Sequence, residues 1–166
     1  MIELELITVR VDLPGNTPVL VLREVAGAGR LLPIFIGGPE ASAIAFALDG
    51  VVPQRPMTHD LLRNVLEDLG ATLEKVTITS VDQGTFYAEL SLVTAEGTSV
   101  ISSRPSDAIA LALRTQSPIW ADVSVLDEAG ILPDDEPIED DPTAGGDVVE
   151  QFREFIDSVN PDDFAS

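Results

Sequence analysis

Carboxylate, arginine and histidine side chains collect at a few points of this chain, at the starts of predicted helices. One group is Gly37-Gly-Pro-Glu40 with Arg55-Pro-Met-Thr-His59-Asp60. Glu40 and Asp60 offer the oxygens that suit a hard divalent cation, His59 can carry a proton, and Arg55 can bind phosphate through charge-assisted hydrogen bonds. A second group, Ser102-Ser-Arg104-Pro-Ser-Asp107, enters another predicted helix. Free backbone N–H groups at such a start attract anions, and Arg104 adds a fork that fits phosphate. The candidate catalytic set is therefore Glu40, His59, Asp60 and Asp107. Glu40, Asp60 and Asp107 are the candidate ligands of a divalent ion, Mg2+ or Mn2+, and Arg55 and Arg104 the candidate substrate-binding pair. Each also has a structural explanation, since first-turn acids complement the helix dipole and Ser106 or Asp107 can cap. Asp82-Gln83-Gly84 fits a hairpin turn better than a site.

Composition narrows the chemistry further. With no cysteine among 166 residues, disulfides and thiolate metal sites are excluded, which leaves oxygen ligands and the single histidine. No phosphate-binding glycine loop, dinucleotide fingerprint, HExxH sequence or nucleophile elbow occurs. A formal charge of -20 opposes the binding of phosphate backbones. That charge is uneven, because residues 133–166 hold 12 acidic residues and one basic one, Arg153. The acidic start, Met1-Ile-Glu-Leu-Glu5, lacks the basic character of a secretory signal, and the apolar run at 39–48 is about half of what a bilayer needs. A cytoplasmic protein without a membrane partner is expected.

These groups need elements to position them. Runs rich in β-branched residues predict strands over 2–11, 19–24 and 31–36, broken by Pro14-Gly-Asn16 and Gly27-Ala-Gly29. Helix formers follow over 39–49, and Leu61, Leu62, Val65, Leu66 and Leu69 recur at helical spacing over 58–69, with Thr58 as N-cap and Gly70 as stop. Strands are predicted again over 73–81, 85–93 and 98–102. A helix over 105–114, a short strand over 118–123 and a helical turn over 124–129 come next. Shifted by 65 residues, Ala43-Ile-Ala-Phe-Ala-Leu48 falls on Ala108-Ile-Ala-Leu-Ala-Leu113, Ile36 on Ile101 and Pro53 on Pro118. The order of elements predicts an α+β fold of duplicated β3α units around one core, over residues 1–132. Both repeated helices are apolar on nearly every side, which predicts burial between layers or against another subunit, with Ala45 and Ala110 in tight contact. Residues 133–147 read as an acidic linker. Val148, Val149, Phe152, Phe155, Ile156 and Val159 then mark a short amphipathic helix that docks back onto the domain or binds a partner.

Four separated motifs occur in order: Leu32-Pro-Ile-Phe-Ile-Gly37 with Glu40-Ala, Arg55-Pro-Met-Thr-His-Asp-Leu-Leu62, Asp82-Gln-Gly-Thr-Phe-Tyr-Ala88, and Arg104-Pro-Ser-Asp-Ala-Ile-Ala-Leu-Ala-Leu-Arg114. Together they resemble the bifunctional nuclease domain family over about residues 1–132. The resemblance implies cleavage of DNA and RNA as transient substrates with little sequence preference, a compact α+β domain and a homo-oligomer. It supplies no catalytic assignment, so the site residues above rest on their own chemistry. The alternative from another class is a non-catalytic, oligomeric regulatory module whose helix starts hold a small anion, which the acidic charge and the lack of basic or aromatic stripes favour.

Overall fold

Apolar and β-branched runs broken by tight turns fold into two three-stranded antiparallel meanders in a computed structural model, which describes residues 1–12 and 15–133. The first contains β1 (Ile2–Asp12), β2 (Thr17–Glu24) and β3 (Leu31–Phe35). The second contains β4 (Thr72–Asp82), β5 (Thr85–Thr94) and β6 (Gly97–Ser103). At the β4–β5 turn Gln83 and Gly84 both take positive φ, 49° and 79°, the paired left-handed conformation that matches the twist of a hairpin. Between the meanders lies a three-residue strand, β7 (Ile119–Ala121), antiparallel to β1 and parallel to β4. The sheet order is β3-β2-β1-β7-β4-β5-β6.

Four helices complete this mixed α+β architecture: α1 (Gly38–Leu48), α2 (Thr58–Asp68), α3 (Pro105–Thr115) and α4 (Val123–Ala129). A proline in the first turn of α1 and of α3 needs no N–H there and arrives with a helical φ. α1 packs on β1 and β2, α3 on β4 and β5, and the two helices touch each other. One core joins Leu20, Leu22 and Ile34 to Val76, Ile78, Ile44, Ile109 and Leu111. Among the described residues no helix is long and apolar enough to cross a membrane. The linker and helix expected beyond Pro133 lie outside the described residues.

Burial corrects two expectations. Ala108 through Ala112 of α3 are all closed off, with Ala110 fully so, because α2 covers the side of α3 turned away from the sheet. In α1 only Ala41–Ile44 are buried, while Ala45 is half-buried and Leu48 exposed. The second half of α1 is not closed off, so Ala45 is not in the tight contact that its repeat position predicts. α2 also starts one residue earlier than its Thr58 suggests: Met57 is the N-cap, and its N–H donates to the Asp60 carboxylate at 3.0 Å. No residue of α2 is buried. Its half-buried side chains, His59, Asp60, Arg63, Asn64 and Leu66, include those that bond to α3, whereas Leu61, Leu62, Val65 and the following Leu69 are exposed. The helix therefore presents its polar side to the domain and its apolar side outward, the reverse of the usual arrangement.

Candidate functional site

Three helix starts converge because α3 packs against both α1 and α2. Each contributes one side chain from its first turn: Glu40 from α1, His59 from α2 and Asp107 from α3. Arg104, the N-cap of α3, ties them together. Its Nε and Nη2 donate to the Asp107 carboxylate at 2.7 and 3.1 Å, and Nη2 pairs with Glu40 at 2.9 Å. Asp107 also bonds to His59 Nε2 at 3.1 Å. The result is one connected set, His59–Asp107–Arg104–Glu40, assembled from residues spread over 67 positions of sequence between Glu40 and Asp107.

Protonation follows from these contacts. Burial pushes the Asp107 carboxyl up, but the hydrogen bonds from Arg104 and His59 outweigh it and hold the group below the usual carboxylate range. Asp107 first and Glu40 second push the Arg104 guanidinium up, so it stays charged. An ionised carboxylate only accepts, so the proton in this bond sits on His59 Nε2, and a ring carrying that single proton has its lone pair at Nδ1. An aspartate placed in this way can orient a histidine for proton transfer. The His59 side chain is 12% exposed, so little of the ring meets solvent.

Beside the cluster lies a cleft of ≈ 330 Å³ lined by Ile34–Gly37, by Gly84, Thr85 and Phe86 of the β4–β5 hairpin, and by Arg104, Pro105 and Ser106. Arg104 is 66% exposed on its side chain, and its Nη1 has no partner among the described residues. One edge of the guanidinium is thus braced by carboxylates while the other is available to an anion. Gly37 is part of the brace, because a side chain at that position would run into the Glu40 carboxylate. Asp82-Gln83-Gly84 is the hairpin turn its sequence suggests, yet it also carries Gly84 to the wall of the cleft.

Two of the expected residues stand apart. Asp60 turns to Arg114, 2.5 Å from its Nε, with side chains only 16% and 6% exposed. Burial pushes the Asp60 carboxyl up, but Arg114 and the Met57 N–H outweigh this and leave it lowered. Arg55 is exposed, with no ion pair among the described residues. The three carboxylates Glu40, Asp60 and Asp107 are not gathered as a metal site, and among the described residues no group of three or more acidic or histidine side chains could hold an ion. Two arginines explain this: Arg104 occupies Glu40 and Asp107, and Arg114 occupies Asp60. Arg114 went unrecognised in the sequence because it sits 54 residues from its partner, and a basic residue in a last helical turn has a local explanation in the dipole.

Residues 20–134 match the bifunctional nuclease domain family. An uncharacterized protein of Mycobacterium tuberculosis is 48% identical over 163 residues, covering 98% of this chain and 97% of that protein. Bifunctional nuclease 2 of Arabidopsis thaliana is 30% identical over 113 residues, which is 65% of this chain and 34% of the plant protein. Bifunctional nuclease 1 of the same plant is 30% identical over 105 residues, 61% of this chain and 32% of that protein. The chain spans about a third of each plant nuclease.

Proposed function

The chain belongs to the bifunctional nuclease domain family, and we propose that it hydrolyses phosphodiester bonds of DNA and RNA at the cluster where three helices begin. The observation that carries this is the continuous His59–Asp107–Arg104–Glu40 set beside an open cleft. Arg104 binds a phosphate oxygen through its free edge, and Arg55 adds charge from the link before α2. His59, oriented by Asp107, takes a proton from water as the water oxygen bonds to phosphorus. The bond to the leaving oxygen then breaks, and that oxygen receives the proton. Glu40 positions Arg104. Asp60 we assign to positioning α2 through Arg114. Because Glu40, Asp60 and Asp107 do not assemble as ligands, no step runs through Mg2+ or Mn2+.

The strand order supports duplication of the β3α unit as well. Opposite directions of β1 and β4 on either side of β7 are what a two-fold relation requires, and superposition of residues 2–48 on 72–115 tests it. We assign a homo-oligomer to the outer edge of β6, whose Val100 and Ile101 are exposed at the end of the sheet. Light scattering of a Val100→Lys variant tests that contact.

The deciding experiment measures cleavage of labelled single-stranded DNA and RNA by highly purified protein, in EDTA and in magnesium or manganese. His59→Gln and Arg104→Ala are purified in parallel. Loss of cleavage in both folded variants is expected; equal rates in all preparations would assign the cutting to a contaminant. A regulatory module binding a small phosphate compound is favoured by one observation, the charge of -20. Phosphate binding abolished by Arg104→Ala without any cleavage would select it.

A further inference from the structure

The outward apolar side of α2 needs cover that the described residues do not give. Leu61, Leu62, Val65 and Leu69 are 56, 38, 42 and 75% exposed, and they form one stripe because they recur at helical spacing. A contiguous apolar surface of this kind marks a contact site, since leaving it in water forgoes the stabilisation of burial.

The chain itself carries a segment that matches. Residues 148–159 place Val148, Val149, Phe152, Phe155, Ile156 and Val159 on one helical face, with Asp147 at the N-cap position and Glu150 three residues later. At 1.5 Å per residue its length is about 18 Å, close to the 11 residues of α2. Three of the six phenylalanines of the chain, Phe152, Phe155 and Phe164, lie beyond Pro133. Aromatic residues in such number are not what a merely solvated acidic tail needs. The likeness to the mycobacterial protein also runs through this segment, whereas the family match stops at residue 134.

Reach is sufficient. Residues 134–147 span at most about 46–50 Å when extended, and a domain of this size has a radius of gyration of about 14 Å. Tethering gives the segment an effective concentration on the order of millimolar at the α2 surface. We infer that residues 148–159 dock as an amphipathic helix on the Leu61–Leu62–Val65–Leu69 face of α2, holding the acidic linker close to the helix start that carries His59. The docking does not depend on the chain being a nuclease, so failure of cleavage leaves it standing.

The absence of native cysteine allows a direct test in the full chain. Leu62→Cys or Val65→Cys is combined with Phe152→Cys or Phe155→Cys, and disulfides are read on non-reducing gels and by mass. Intramolecular bridging in at least one double variant, with the single variants staying monomeric thiols, is the expected result. Disulfide-linked dimers from Leu62→Cys or Val65→Cys alone would give the face to a second copy and overturn the proposal. No bridging in any double variant would overturn it as well. As a measurement free of engineered bridges, Phe152→Ser/Phe155→Ser should speed hydrogen exchange of α2 amides by roughly tenfold; unchanged exchange contradicts docking.

Discussion

Replacing Asp107 by asparagine separates a role in chemistry from a role in folding. Asp107 accepts two hydrogen bonds from Arg104, at 2.7 and 3.1 Å, and one from His59 at 3.1 Å. Asparagine keeps the shape but loses the charge; its NH2 group finds no acceptor in Arg104, and it can donate to His59 Nε2 only in the tautomer that moves the ring proton to Nδ1. The Asp107 and Arg104 side chains are 31% and 66% exposed, so this pair contributes only about 0–1 kcal/mol to stability. Against a domain stability of about 5–15 kcal/mol, more than roughly 99% of the protein stays folded. An unanchored histidine should instead slow cleavage by about 10²–10⁴-fold, and a hundredfold loss alone corresponds to about 2.7 kcal/mol of barrier. Initial rates on labelled single-stranded DNA and RNA, with a melt on the same samples, read both effects. A folded Asp107→Asn variant that cuts at the wild-type rate would refute the assignment. So would a loss of rate that merely follows the unfolded fraction.

Ala110→Leu should overpack the core and cost about 1–3 kcal/mol, whereas Ala45→Leu should cost far less, because Ala45 is half-buried and Ala110 is closed off; urea midpoints compare them. Asp60→Asn leaves the nearly buried Arg114 unpaired and should cost about 3 kcal/mol, with the rate at full folding little changed. The folded-state pKa values of Asp60 and Asp107 lie below the unfolded ones. Their contribution is therefore complete above the unfolded value of about 3.9 and is lost as pH falls through the folded values. Urea midpoints should drop as pH falls below about 4, and less so in Asp60→Asn. Gly37→Ala should push Glu40 off Arg104, weakening phosphate binding in titration calorimetry while the melting temperature stays near wild type.

Local signals carried most of the architecture. Prolines at 39 and 105 and the alternation in the strands set boundaries that the structure meets within one or two residues. Glu40, Asp107, Arg104 and His59 were legible as helix-start chemistry, since each sits in a motif with a local reason. Their grouping was not, because it depends on how α3 packs between its neighbours. Asp60 shows the limit well: its residue type fits a metal ligand, but a guanidinium 54 positions away claims it. Periodicity likewise revealed the amphipathic character of α2 and not its orientation. An apolar stripe identifies a side that needs cover, whereas polar contacts to Asp107 and Arg114 decide which side faces the domain.

The placement of β7 has a consequence for how the chain comes to be folded. Each meander is built from local pairings that form quickly, but β1 finds its second neighbour only when Ile119–Ala121 pairs with Ile2–Leu4, more than a hundred residues away in sequence. Loop closure over that distance is slow and comes after the local contacts. During synthesis at about 5–20 residues per second, the interval between completing β3 and delivering β7 is on the order of ten seconds. Throughout it, β1 presents an unpaired edge of alternating apolar residues, the kind of surface that recruits strands from other chains. The nascent protein is thus exposed to misassembly along β1, and protection of that edge matters until the seventh strand arrives.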